Sequence, residues 1–440
     1  MSGLSYRDIN ARILRTLAPP RRTYYLLVGL CVTGILLGAC CWAYQIATGM
    51  GVAGYRPPVM WGIYLVNFVF WVGIAHSGTL ISAILFLFRA TWRTAIARSA
   101  EAMTVFAVMV AGLFPIIHLG RAWIFYWLIP YPNQRTLWPN FQSPLMFDFV
   151  AVSTYLTVSS LFWFTGLLPD LATVRDHSQG IRRRIYGILS LGWIGSHHQW
   201  GHYGWSYLLL AALATPLVIS VHSVVSWDFA LAIIPGYHST LFAPYFVAGA
   251  IHSGLAMVLT LLIPLRRIFK FEELIPLKTL ESIAKTMIFT CLVIGYAYLV
   301  EYFIAWYGGN KAEWDTFIWR AFGHYAPQFW VMVFCNTVAP LAFFFKRVRR
   351  NLFSLFTIAI LVNIGMWYER FVIIIGSMAH DFDPYVWGVY SPTWVEIGIM
   401  IGSFSLFFLF FLLFVKLLPS VSITEIKEGL SATVKRSREG

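Results

Sequence analysis

Charge is what this sequence has least of. Only 12% of its 440 residues are Asp, Glu, Lys or Arg, about half the share of a soluble globular chain. Hydrophobic residues make up 59%, and the mean hydropathy is +0.69. Water does not tolerate that much apolar surface and lipid requires it, so a soluble domain is excluded. Cysteine is scarce too. Cys31, Cys40, Cys41, Cys291 and Cys335 all fall in apolar stretches, with no C-x-x-C or C-x-x-C-H pattern for an iron–sulfur cluster, a covalent haem or a disulfide. The absence of G-x-x-x-x-G-K-[ST], G-x-G-x-x-G and G-x-S-x-G removes the usual grounds for nucleotide hydrolysis or acyl transfer. A net charge of +13 does not indicate nucleic acid, because the basic residues sit between apolar spans instead of forming a patch.

What is present is a run of apolar stretches at about 23–47, 59–88, 99–127, 145–168, 203–226, 239–265, 284–307, 328–345, 353–377 and 393–418. Each is long enough to cross a bilayer, which predicts an all-α polytopic membrane protein of ten transmembrane helices. The 19 Trp and 22 Tyr suit residues that seat at lipid–water interfaces. All but six of the 32 Lys and Arg lie in the N-terminal segment, the loops after spans 2, 4, 6 and 8, and the C-terminal segment. The six are Arg56, Arg121, Arg135, Lys311 and Arg320 on the opposite side, and Arg370 within span 9. Positive loops stay in the cytoplasm, which predicts an inner-membrane protein with both termini cytoplasmic.

Residues 1–22 are polar, carry five Arg and do not read as a cleavable signal peptide. Ser5–Leu17 sets Ile9, Ile13, Leu14 and Leu17 against Arg7, Asp8, Arg12 and Arg15, the pattern of an amphipathic helix lying on a membrane. Residues 23–418 form the transmembrane domain and 419–440 a cytoplasmic tail. Span 2 contains Gly73-Ile-Ala-His76-Ser77-Gly78 and span 6 contains Gly249-Ala-Ile-His252-Ser253-Gly254, running in the same direction four spans apart. The match predicts a duplicated four-helix unit, about 59–226 and 239–377, flanked by spans 1 and 10.

Titratable groups at membrane depth are costly, so each invites a role. The densest group lies at the non-cytoplasmic end: His118-Leu-Gly-Arg121 closing span 3, Ser143-Pro144 and Asp148 opening span 4, and His222 through Asp228 closing span 5. A histidine with two aspartates suits a neutral two-proton carrier, whose hydroxyls release protons only to acceptors at hydrogen-bonding distance. His118 would take one proton, Asp148 or Asp228 would take or relay the other, and Arg121 would hold a carboxylate ionised or polarise a carbonyl. A plain capping role for His118 and Arg121, with lipid headgroups as partners, fits the same residues.

Mid-span His76 and His252 suit a proton path, axial haem ligation by two facing imidazoles, or close small-residue packing. Glu301, Glu369 and Arg370 are intramembrane charges, either a relay or a structural ion pair. Glu369 and Arg370 adjoin in sequence and project about 100° apart on a helix, which predicts a separate partner for each. His198 and His202 share a helix face at the entry of span 5, with His197 beside them. Interfacial seating competes there with a metal pair.

His118-Leu-Gly-Arg121 with the aromatic stretch after it, and the segments HLGRAWIFYWLIPYPNQRTLWPNFQSPLMFDF and SVHSVVSWDFALAIIPGYHSTLFAPYFVAGAIHSG, resemble the NrfD/PsrC family of quinone-interacting membrane subunits. The similarity runs over roughly residues 20–420 and is greatest to the ActC-type subunits of bacterial alternative complex III. The resemblance implies two four-helix bundles and oxidation of a quinol, menaquinol above all, at the non-cytoplasmic side. Catalytic roles would fall on His118, Asp148 and Asp228, with Arg121 and His222 in the quinol site and His76, His252, Glu301, Glu369 and Arg370 as proton-path candidates. It also implies no haem, iron–sulfur cluster or metal in this chain. The implied partners are an iron–sulfur subunit, multihaem c-type cytochrome subunits, a second NrfD-like subunit and a terminal oxidase. Competing readings are an ActF-like sister subunit without a quinol site, a secondary transporter built on parallel repeats, and a scaffold that anchors partners.

Overall fold

A computed structural model describes residues 5–129 and 144–429. Arg135 and Ser143, with most of the stretch between spans 3 and 4, lie outside the described residues. Ten helices in the described residues are long and apolar enough to cross a membrane: Arg22–Thr48, Ile63–Leu87, Ala97–His118, Met146–Asp176, His197–Ala230, Phe242–Ile268, Leu277–Tyr307, Ala326–Phe344, Leu352–Ala379 and Trp394–Leu417. They are numbered here as spans 1 to 10. The all-helical, ten-span expectation holds. The end carrying most of the basic residues is called the basic end, and the other the distal end.

Span 3 stops well short of its expected end. The apolar run continues to residue 127, but the helix stops at His118. Gly120 takes a φ of +71°, which glycine adopts at little cost and which ends an α-helix. Ala122–Leu128 continues as separate 3-10 turns with Trp123 and Trp127 exposed. His118 therefore sits on a helix terminus, open to the distal end.

Spans 2 and 6 form the centre, packed on each other, and span 9 packs against both. Spans 3, 4 and 5 complete one group around span 2, and spans 7, 8 and 9 complete another around span 6. Small residues permit the central crossing: a Cβ on Gly254 would crowd the side chain of Ser77, and one on Gly73 would reach Ser253 Oγ at 3.5 Å. The two matching motifs thus meet each other, as small residues do where membrane helices approach closely.

Spans 1 and 10 pair on the outside. Gly34 and Gly38 of span 1 face Gly398 and Gly402 of span 10, two small-xxx-small patterns. A Cβ on Gly38 would lie 2.8 Å from Gly402 Cα, so the contact is backbone on backbone. Replacing Gly38 with Val must force the helices apart. The expected cost is about 1–3 kcal/mol, read as a lower thermal unfolding midpoint in detergent, and an unchanged midpoint would refute the packing.

Two spans contain a widened π-turn. In span 8 it covers Phe334–Val338, directly before Pro340, whose missing N–H and bulky ring disrupt the preceding turn. In span 2 it covers Leu80–Ile84, and the Arg93 guanidinium donates to the freed Ser82 carbonyl at 3.1 Å.

Both terminal segments differ from expectation. Tyr6–Leu14 is a helix capped by Ser5, but Ile9 and Ile13 are fully buried against the protein instead of facing lipid. Amphipathicity specifies that an apolar face is covered, not what covers it. Of the expected tail, residues 419–429 fold into the bundle and bury Val421, Ile423 and Ile426.

Candidate functional site

At the distal end, the His118 ring is half-buried, and its Nδ1 lies 3.3 Å from the Tyr55 hydroxyl. Burial, with Glu396 nearby, holds the Tyr55 phenol well above its ordinary pKa, so the hydroxyl remains protonated and can donate or accept. The bed behind it is fixed by hydrogen bonds. Tyr64 donates to Gln45 Oε1, and Gln45 Nε2 donates to the Ile117 carbonyl at 3.0 Å, one residue before His118. Tyr390 donates to Glu396 Oε1 at 2.6 Å and accepts from Ile63 N–H at 3.1 Å. Glu396 is fully buried and also accepts from the backbone N–H groups of Gly54 and Thr393, at 2.8 and 2.9 Å. Gly62 makes room for this arrangement, since a Cβ there would lie 2.4 Å from the Tyr55 ring and 2.5 Å from the Tyr390 oxygen.

Tyr55, Gln45, Tyr390 and Glu396 are not among the residues expected from the sequence. Thr393-Trp-Val-Glu396 is a capping-box pattern ahead of an apolar run and could have marked the glutamate. Tyr55 carries no comparable local sign, because its partner is 63 residues away.

Asp148 of span 4 and Asp228 of span 5 are both buried, and their carboxyls stand within hydrogen-bonding reach of one another. Among the described residues, both oxygens of Asp228 and Oδ1 of Asp148 have no donor. Two ionised carboxylates so placed would repel strongly at low dielectric, whereas a single shared proton would bond them. No hydrogen bond joins His118 to either aspartate among the described residues. Arg121 is exposed beyond the end of span 3.

A second polar group fills the middle of the bundle. The rings of His76 and His222 meet edge to face, with centroids 5.5 Å apart, and neither nitrogen of His222 has a partner among the described residues. His252 makes a contact of its own on span 7. Its Nδ1 lies 2.8 Å from Thr290 Oγ1. Glu369 and Arg370, expected to find separate partners, pair with each other at 2.8 Å. The stems of both side chains are flexible enough to close the angle between adjacent helix positions. The expectation of separate contacts survives at their other edges, where Tyr298 and Asn336 donate to Glu369 Oε2 and Arg370 lies over the Phe246 ring at 4.4 Å. Asn336 is in the π-turn of span 8, which aims it at Glu369.

Glu301 is buried near Arg320 of the helix after span 7, not beside His118. Arg320 donates to Ser377 Oγ and, at 3.3 Å, to the Gly236 carbonyl. At the opposite end, His198 and His202 bring their Nε2 atoms to 3.2 Å but are exposed. Among the described residues no three His, Cys, Asp or Glu converge as metal ligands.

An apolar bundle of ten long helices with ionisable side chains turned inward defines a polytopic membrane protein. The family described as "Polysulphide reductase, NrfD" matches residues 51–380, and the chain belongs to this family. A putative membrane subunit of a dimethyl sulfoxide reductase from Halobacterium salinarum is 26% identical over 406 residues, covering 84% of this chain and 86% of the relative. An Hdr-like menaquinol oxidoreductase integral membrane subunit of Archaeoglobus fulgidus is 22% identical over 431 residues, covering 92% and 96%. A selenate reductase subunit of Mesobacillus selenatarsenatis is 22% identical over 228 residues, covering 49% and 51%. These relatives are named as subunits of oxidoreductases, which agrees with a part in a redox complex.

Proposed function

We propose that this chain is the quinol-oxidising membrane subunit of a respiratory quinol:acceptor oxidoreductase, of the ActC type found in alternative complex III. The observation that carries the reading is the buried Asp148–Asp228 pair, whose oxygens Asp148 Oδ1, Asp228 Oδ1 and Asp228 Oδ2 have no donor among the described residues, at the same end of the bundle as His118. A buried acceptor without a donor is costly, and a quinol brings two hydroxyl donors. Oxidation breaks both O–H bonds, releasing two protons and two electrons. With the Tyr55 oxygen accepting from Nδ1–H, Nε2 of His118 has the free lone pair for one proton, and the carboxyl pair takes the other. Arg121 would steer the quinol at the distal end, whereas His222, packed against His76 in the middle of the bundle, belongs with the relay, and the two electrons leave to a partner iron–sulfur subunit. Multihaem c-type cytochrome subunits, a second NrfD-like subunit and a terminal oxidase complete the proposed assembly. Menaquinol is the favoured substrate, supported by the name of the Archaeoglobus relative.

The distribution of Lys and Arg supports placing the basic end and both termini in the cytoplasm, and the quinol site therefore at the outer face of a bacterial inner membrane. His76, His222, His252, Glu369, Arg370 and Glu301 are the proposed relay for any coupled proton movement. The two-unit reading gains support from one correspondence. The first glycine of each motif faces a polar side chain on the last span of its own unit: Gly73 lies 3.7 Å from His222 Cε1, and Gly249 3.1 Å from Arg370 Nη2, each measured from a Cβ placed on the glycine.

The test is Asp148→Asn and Asp228→Asn in the assembled complex, with acceptor reduction by quinol followed optically. Each variant is expected to lose turnover by about 100-fold or more while the subunits still co-purify. Wild-type turnover in both would overturn the site.

A further inference from the structure

We infer that the basic end holds a structural anionic phospholipid, bound between spans 1, 6 and 10 and independent of the quinol site. A groove of about 490 Å³ opens there. Its floor is apolar, built from side chains such as Leu27 of span 1, Leu261 of span 6 and Phe411 of span 10, and its rim carries Arg12, Arg15, Arg21, Lys270 and Lys416. No carboxylate lines it among the described residues.

Two of the five cations are already engaged. Arg12 pairs with Glu273 at 2.8 Å, and Lys416 donates to the Thr16 and Ala18 carbonyls at 2.9 and 3.2 Å. Arg15, Arg21 and Lys270 are exposed and have no acidic partner among the described residues. Lys270 is held with φ at +56°, a conformation disfavoured for a residue with a side chain. Span 1 also begins in this groove, with Arg21 as an N-cap that provides no side-chain acceptor, leaving backbone N–H groups and the positive end of the helix dipole toward it.

Cations and helix N–H groups above an apolar slot between membrane helices complement a molecule with a phosphodiester head and acyl chains, and nothing smaller fills both parts. A free phosphate would satisfy the rim and leave the slot bare. A neutral lipid would fill the slot and leave three cations unmatched. Basic pockets between transmembrane helices recognise anionic headgroups in this way.

The test is native mass spectrometry of the full chain, or of its complex, in a non-ionic detergent with added phosphatidylglycerol or phosphatidylcholine. The expected result is one retained phosphatidylglycerol, preferred over phosphatidylcholine, that 10 mM inorganic phosphate does not displace. The triple variant Arg15→Gln, Arg21→Gln, Lys270→Gln changes only exposed side chains and should weaken retention roughly a hundredfold, from about fivefold per charge. The matching variant Arg182→Gln, Arg183→Gln, Arg184→Gln, on the short helix Gly180–Leu189 between spans 4 and 5, should retain the lipid. Equal retention by wild type and the groove variant, equal retention of the two lipids, or displacement by phosphate would each overturn the inference.

Discussion

Replacing His118 with Ala should abolish quinol-driven electron transfer while the protein still assembles. Removing a positioned proton acceptor costs about 10²–10⁴-fold in rate, and no other described histidine at the distal end shares its environment. Its hydroxyl partner Tyr55 lies 3.3 Å away and is itself backed by Tyr64, Tyr390 and the buried Glu396. This bed does not depend on the imidazole, which is only half-buried, so the fold should survive the truncation. Tyr55→Phe separates orientation from proton acceptance. It keeps the ring contact at 5.7 Å between centroids and removes the hydroxyl, so a smaller loss of turnover is expected than for His118→Ala. The measurement is acceptor reduction per assembled complex over a range of quinol concentrations. Undiminished turnover in His118→Ala would remove the histidine from the reaction.

The second large effect concerns stability at the other end. Arg98 is buried and donates to Glu101 Oε2 at 2.8 Å, to Asp170 Oδ2 at 3.3 Å, to the Gly166 carbonyl at 2.6 Å and to Ser422 Oγ at 3.4 Å. It therefore ties span 3 to span 4 and to the C-terminal segment. Around it, Tyr207 donates to Glu101 at 2.9 Å, Arg93 pairs with Glu425 at 3.0 Å, and Thr424 N–H donates to Asp170 at 3.1 Å. Arg98→Met would strand two buried carboxylates, and losing one partner of a buried pair costs about 3–5 kcal/mol. The expected result is a steep fall in monodisperse yield and in the unfolding midpoint. Adding Asp170→Asn should recover part of the loss, because one stranded charge is then removed. A wild-type midpoint for Arg98→Met would contradict the network.

Some features of this chain were legible one residue at a time. The spans, their number and the alternation of basic loops follow from length and composition, because in lipid each helix must satisfy its own backbone. His118, Asp148 and Asp228 stood out for a related reason: charge among apolar residues is expensive wherever it falls. Local patterns do not disclose which residue meets which. Arg93 and Arg98 counted only as loop charge, yet they hold the C-terminal segment in the bundle. Glu369 and Arg370 were assigned to different neighbours and instead pair with each other.

The sequence by itself therefore determined the membrane class, the ten helices and the places where polar groups would need an explanation. Tertiary structure decided the end of span 3 at His118, through Gly120 and its positive φ. It also decided the Tyr55 contact and the union of Asp148 with Asp228, and it turned the N-terminal helix inward. Each of these is a contact between residues far apart in the chain or a choice between two apolar surroundings. Periodicity and composition are blind to both, because they record only that a side chain must be covered and not by which neighbour.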